Sequence, residues 1–170
     1  DNRPFMKGSR LQTFKSKYEP YKSIYDKNSE GNNEDFANWY FEKQLLGYSY
    51  TKKLKDTFKG RDRGSMISCK EIFKLNDNAF VKFVGIIKSC LKKTSQNNKK
   101  YYFIVASDET SETKCIFMER EYQPYLNKGK SLPEKDSIAI ITGRKGDGTV
   151  FVNDMSVLDQ RIYMKLSDLK

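Results

Sequence analysis

Between Asn78 and Asp159 five short apolar segments follow one another, each closed by polar or glycine-containing sequence. They are Phe80–Leu91, Tyr101–Ser107, Thr113–Met118, Ser137–Gly143 and Thr149–Asn153. From Ser65 onward the apolar period shifts towards two, so each segment is predicted as a β-strand. Gly85, in the middle of the first and longest segment, predicts a bend of the kind needed when one strand serves both sides of a small barrel. Lys92–Lys100 (KKTSQNNKK) reads as a polar, basic hairpin loop and Asp108–Glu112 as a tight acidic turn. Gly146-Asp147-Gly148 is a strong hairpin signal between the last two strands. Glu119–Leu126 has the length for one or two helical turns, with Pro124 limiting its regularity.

Strand, strand, strand, short helix, strand, strand is the order of the OB-fold, a five-stranded Greek-key barrel. An SH3-like barrel is the alternative, and it normally lacks the helix between strands three and four. The N-terminal part reads differently. Leu11, Phe14, Tyr18, Tyr21 and Tyr25 recur at helical spacing, with a break expected near Glu19 because Pro20 interrupts the run. Asp26–Glu34 reads as a loop. A second helix is expected from about Glu34, with Phe36, Trp39, Tyr40, Lys43 and Leu46 on one side and Gly47 near its end. Lys52–Arg63 is strongly basic, with Leu54 and Phe58 as its apolar anchors. The expected class is therefore mainly β: an OB-fold barrel with an N-terminal α-helical extension. The expected divisions are a helical extension and basic linker over 1–64, the OB domain over 65–160 and a C-terminal tail over 161–170.

The formal charge of +10 favours a polyanionic partner, although solvation alone also explains net charge. The chain has no histidine, which excludes histidine triads, histidine zinc sites and histidine general bases. No phosphate-cradling glycine loop is present. Asp108, Glu109, Asp147, Asp154 and Asp159 fall at turn positions, where a solvated carboxylate is the ordinary reading. No catalysis by this chain alone, no metal and no cofactor are expected. Cys69, Cys90 and Cys115 are odd in number and far apart, and read as reduced thiols. No signal peptide or membrane-spanning run is evident, so a cytoplasmic setting is expected. The chain opens on Asp1 and polar sequence, as an excised piece of a longer protein would.

OB-folds bind through strands two and three and the loops joining strands one to two and four to five. On that scheme Lys92, Lys93, Lys99 and Lys100 flank or occupy the first loop, and Arg144 and Lys145 open the second. On strand two, Tyr101, Phe103 and Val105 point one way and Tyr102, Ile104 and Ala106 the other. Sequence leaves open which set faces out. On strand three the charged Lys114 places its own set, with Ile116 and Met118, outside. An exposed aromatic beside Lys114 would stack bases, each worth about 1–3 kcal/mol. Singly, Tyr101, Tyr102 and Phe103 are more often core or rim residues and the lysines more often solvating; their joint placement carries the functional reading. Phe151 is expected in the core.

Two stretches together resemble the C-terminal region of the bacterial replicative DNA polymerase III alpha subunit. Glu42–Tyr48 (EKQLLGY) is similar to its E-K-E-L-L-G-F/Y motif. Val81–Ile87, the Lys92–Lys100 loop, Tyr101–Val105 and Asp108–Thr110 are similar to the start of its OB domain, and Gly143-Arg144 and Val152–Asp154 to its last two strands. The likeness spans about Phe36 to Leu158. Ser49–Leu54 (SYTKKL) departs from that family's S-G-H-P-L, which implies a divergent, phage-type member. The resemblance implies a non-catalytic accessory module that contacts single-stranded DNA or primer-template. The alternative is a protein-interaction module in which Trp39, Tyr40 and Phe41 dock on a polymerase, clamp or other replication protein. An RNA-binding module of the anticodon-binding type is a third reading, with no synthetase-like residues to support it.

Overall fold

The computed structural model describes residues 8–29, 33–58 and 66–158. Helix α1 spans Gly8–Ser29 and α2 spans Asn33–Leu46. A 3-10 turn at Leu54–Thr57 and a single helical turn, α3, at Cys69–Ile72 lead into the first strand. Strands β1 (Phe80–Thr94), β2 (Lys100–Ser107) and β3 (Glu112–Met118) precede α4 (Glu119–Asn127), and β4 (Ile138–Lys145) and β5 (Val150–Leu158) follow it. The five strands hydrogen-bond in the order β1-β2-β3-β5-β4 and form a closed barrel. The β3–β5 seam is its weakest join: Cys115 and Ile116 alone pair, in parallel, with Val150 and Phe151. β1 closes the ring by serving two neighbours, pairing with β4 from Phe80 to Ile86 and with β2 from Ile86 to Thr94. Gly85 sits beside that changeover, where a Cβ would stand 3.3 Å from both the Ala106 Cβ and the Ser107 carbonyl oxygen.

Two apolar clusters explain the architecture. The first fills the barrel with alternate residues of every strand, among them Phe83, Ile104, Phe117, Ile141 and Val152, and is closed by Tyr122 and Tyr125 of α4. The second lies outside the barrel wall. Val84 and Ile86 of β1, Ile138 and Ile140 of β4 and Leu158 of β5 point outward and are buried against Tyr25, Phe36, Trp39, Leu54 and Phe58. Trp39 is fully buried, and Tyr25, Phe36 and Phe58 pack edge to face around one another. At about 1.5–3 kcal/mol for each fully buried large side chain, this layer is fixed to the barrel.

The expectation of a mainly β chain with helix confined to an N-terminal extension is therefore corrected. Among the described residues helical segments hold slightly more residues than strands. They are spread from α1 to α4, and the N-terminal ones share a core with the barrel wall: the class is mixed α and β. Two local expectations also change. Helix α1 continues through Pro20, and it runs on to Ser29, so the predicted loop from Asp26 is mostly helix. Pro20 removes one backbone donor without ending the helix. The side chains of Leu11, Phe14, Tyr18 and Tyr21, part of the basic run to Arg63, and the tail from Asp159 lie outside the described residues.

In the β2–β3 turn Asp108 and Glu109 are half-buried and bonded to backbone rather than freely solvated, while Glu112 is exposed. Asp108 accepts from the Thr110 and Ser111 N–H groups at 2.7 and 3.1 Å and, through its other oxygen, from the Cys69 N–H at 2.8 Å. Glu109 accepts from the Leu54 N–H at 3.2 Å. The turn thus ties α3 and the 3-10 turn to the barrel. Asp154 pairs with Lys130 at 2.6 Å.

Candidate nucleic-acid interface

Burial settles which set of β2 faces out. Ile104 and Ala106 are fully buried and Tyr102 packs edge to face on Tyr122, 4.9 Å between centroids. Tyr101, Phe103 and Val105 are half-buried on the other face. On β3 Cys115 and Phe117 are fully buried, while Lys114, Ile116 and Met118 face out. Register then fixes neighbours, because directly opposed residues share a face. Lys93, Tyr101 and Met118 form one row; Ser89, Val105 and Lys114 form another. Between them runs the longest row: Leu91 opposite Phe103, Phe103 opposite Ile116, and Ile116 opposite Phe151.

Among the described residues, the outward side chains of this wall belong to neither apolar cluster. Leu91 is 54% exposed and Phe151 44% exposed. Phe151 was expected in the core and is not. Its inward neighbours Val150 and Val152 are buried, so strand alternation places its ring outside. Gly146 makes room for that ring: a Cβ there would come 2.4 Å from Phe151 Cε2.

The basic residues divide. Lys93 Nζ lies 4.4 Å from the centre of the Phe103 ring, a cation-π contact that places positive charge beside the exposed aromatic surface. Lys114 is exposed on the same wall. Lys92 pairs with Tyr102 and Lys100 lies one residue before Tyr101, so both share the Tyr102 side of the hairpin. Lys99 is exposed in the loop, and its N–H and carbonyl are bonded to Ser95. Arg144 is exposed and donates to the Asn78 carbonyl at 3.0 Å. Lys145 is turned aside, paired with Asp77 at 3.2 Å with its side chain 11% exposed. Among the described residues Lys92, Lys93, Lys99, Lys100 and Lys114 have no carboxylate partner.

Of the three aromatics expected to dock a partner, Trp39 is fully buried and Tyr40 packs against the outer cluster. Phe41 is exposed and lines one groove with the exposed Leu45 and Leu46; Tyr48 and Tyr50 are exposed as well. Leu46 was expected on the same side of the helix as Phe36 and Trp39 and is exposed instead, while Leu45, Tyr48 and Tyr50 were not singled out because they end a helix and open a loop, where apolar periodicity carries no sidedness. The EKQLLGY segment has a local role. Gly47, at φ +79°, ends α2, and its N–H bonds back to the Lys43 carbonyl at 2.9 Å. The Glu42 carboxylate accepts from the Thr51 hydroxyl, the Ser49 hydroxyl and the Thr51 and Tyr50 N–H groups; the Thr51 hydroxyl foremost, then the Ser49 hydroxyl and the Thr51 N–H, hold it below the usual carboxylate range.

All three cysteines are free thiols packed in or against the barrel core. Burial pushes Cys69 up to about 12 and Cys90 to about 11, and raises Cys115 as well. Among the described residues no group of three or more histidine, cysteine, aspartate or glutamate side chains is placed to hold a metal ion, and no helix is long and apolar enough to cross a membrane.

No protein-family model matches the chain, and no curated protein matches it. Among solved structures it is similar to the mitochondrial single-stranded DNA binding protein Rim1 of S. cerevisiae, at 15% identity and a TM-score of 0.41, over 49% of this chain and 98% of that one. A domain of replication protein A from Methanococcus maripaludis is similar at 15% identity and a TM-score of 0.40, over 52% and 92%. Asparaginyl-tRNA synthetase from Pyrococcus horikoshii is similar at 16% identity and a TM-score of 0.43; 55% of this chain covers 22% of that one. At these values the likenesses say nothing of what this chain binds. The strand order and the helix between β3 and β4 independently make it an OB-fold module.

Proposed function

We propose that the chain binds single-stranded nucleic acid, DNA in the first instance, on the open β2–β3 wall and without strong sequence preference. One observation carries this reading: among the described residues, the wall whose outward side chains join neither apolar cluster is the one whose rows hold Tyr101 and Phe103 between Lys93 and Lys114. The opposite wall has outward valine and isoleucine and is sealed. Bases stack on the exposed rings and the lysines take phosphates, each neutralised phosphate adding about 0.7 to the salt slope on a single strand. Titration of labelled oligo-dT at several salt concentrations tests it. Tight binding that weakens with salt is expected; no binding at low salt, or binding without a salt slope, sinks it. RNA of equal length as competitor settles the preference between the two acids. The narrower context of a replicative polymerase rests only on the resemblance of Glu42–Tyr48 and the strand segments.

A second reading has its own observation. Phe41, Leu45 and Leu46 line a groove of about 470 Å³ at the end of α2, an apolar surface of the kind that meets another protein. A replication partner retained by the chain after nuclease treatment, and lost in Leu45→Glu, is the result that favours it.

A further inference from the structure

Beyond the β2–β3 surface the exposed row continues. Phe151 at the start of β5 stands opposite Arg144 of β4, and Arg144 stands opposite Phe80 at the start of β1. Directly opposed side chains project to the same side with Cβ atoms about 4.5–5.5 Å apart. The order across the surface is therefore ring, guanidinium, ring. Phe80 is 55% exposed and Phe151 44% exposed, while Val81 and Gly143 beside them point inward and are buried. Neither ring is needed by either apolar cluster.

Two of the three groups, Phe151 and Arg144, are held in place. The Phe151 ring lies against the Gly146 backbone, so one side is supported. Arg144 donates to the Asn78 carbonyl, and the Asn78 N–H is itself bonded to the Lys145 carbonyl at 2.8 Å. A carbonyl orients the guanidinium without neutralising it, so its charge stays available for a phosphate. Lys145, the neighbouring cation, is instead occupied by Asp77.

We propose that Phe151, Arg144 and Phe80 form a second stacking site for a single strand, distinct from the β2–β3 platform and continuous with it through Ile116. Bases lie on the two phenyl rings and Arg144 holds the phosphate between them. The proposal rests on the reading that the β2–β3 wall carries the strand, and it extends the track around the barrel towards β1. Phe103 and Phe151 are two strand spacings apart, about 9–10 Å, so a short oligomer fills the first site before it reaches the second.

The test is anisotropy with labelled oligo-dT of about four to about sixteen nucleotides, the range of site sizes for one OB-fold. Phe80→Ala and Phe151→Ala should bind the shortest oligomers as the wild type does and the longest about five-fold or more weakly. Arg144→Gln should lower the salt slope for long oligomers by about 0.7. Phe80→Leu and Phe151→Leu keep apolar bulk without a flat ring and should behave like the alanine variants, which separates stacking from folding. If the variants match the wild type at every length while Phe103→Ala weakens binding, or if they weaken all lengths equally, the second site is overturned and the parent reading survives. If the wild type binds no oligomer at low salt, both fall together.

Discussion

Adjacent aromatics on β2 do opposite work, and substitution separates them. Phe103 is half-buried on the open wall under Lys93, while Tyr102 packs on Tyr122 and against the barrel core. Phe103→Ala is expected to weaken binding of oligo-dT by about 1–3 kcal/mol and to leave the melting temperature close to the wild-type value. Tyr102→Ala is expected to do the reverse, costing about 1–3 kcal/mol of stability through lost packing with little effect on affinity once folded. Paired thermal melts and titrations check this. Equal affinity losses from both would mean that the open wall is not the binding surface. Sequence alternation divided Tyr101 and Phe103 from Tyr102, but only the burial of Ile104 and Ala106 assigned the sides. At Phe151 the local pattern misled, because a phenylalanine between valines reads as core until Gly146 is seen to give its ring a seat outside.

The short elements between helix and barrel are held by acids rather than by apolar contact alone. Glu71 accepts from the Ser68 N–H and hydroxyl at 2.6 and 2.7 Å, closing a capping box over α3, and pairs with Lys55 of the 3-10 turn at 2.7 Å. Lys55 foremost, then the Ser68 donors, hold its carboxyl down to about 2, from an ordinary value of 4.5. A folded-state value below the unfolded one means that the stabilisation is full above about pH 4.5 and is lost as pH falls towards 2. Glu71→Gln should lower stability modestly at neutral pH, flatten the acid limb across that window and converge on the wild type near pH 2. Denaturant midpoints from pH 6 down to about pH 2 check it, with the pair's exposure keeping the effect modest. The strands were legible in the sequence because period-two alternation, the Gly146–Gly148 turn and the basic β1–β2 loop are local signals. The connectors were not. That Asp108 and Glu109 reach the N–H groups of Cys69 and Leu54 depends on contacts across 39 and 55 residues of chain, which no local pattern encodes.

At the scale of the whole molecule, the helical layer decides where a ligand can go. The barrel has outward-facing residues all round. On β1, β4 and β5 those beneath the helices are Val84, Ile86, Ile138, Ile140 and Leu158, which would stand in water without Tyr25, Phe36 and Trp39 above them. On β2 and β3 they are aromatic, apolar and basic, half-buried apart from the exposed Lys114, and they belong to neither apolar cluster. The sequence showed an amphipathic helical region and a strand region as separate stretches, and nothing local could say that the second apolar set on β1 and β4 belonged to the helices. Shared burial makes a further demand: the two regions should unfold together. Trp39 is the sole tryptophan of the chain and sits in the layer, fully buried, so its emission reports the helices meeting the wall. The far-ultraviolet circular dichroism signal reports helices and strands together. Urea transitions followed by the two probes should superimpose, with one midpoint and one slope. Val84→Ala and Ile140→Ala, each removing about 1–4 kcal/mol of packing, should shift both probes equally, although neither side chain lies inside the barrel. If Trp39 reddens at a lower urea concentration while the remaining dichroism holds a second transition, the helices are an appendage. The β2–β3 wall would then be one of two, and the reason for placing the strand on β2 and β3 would be gone.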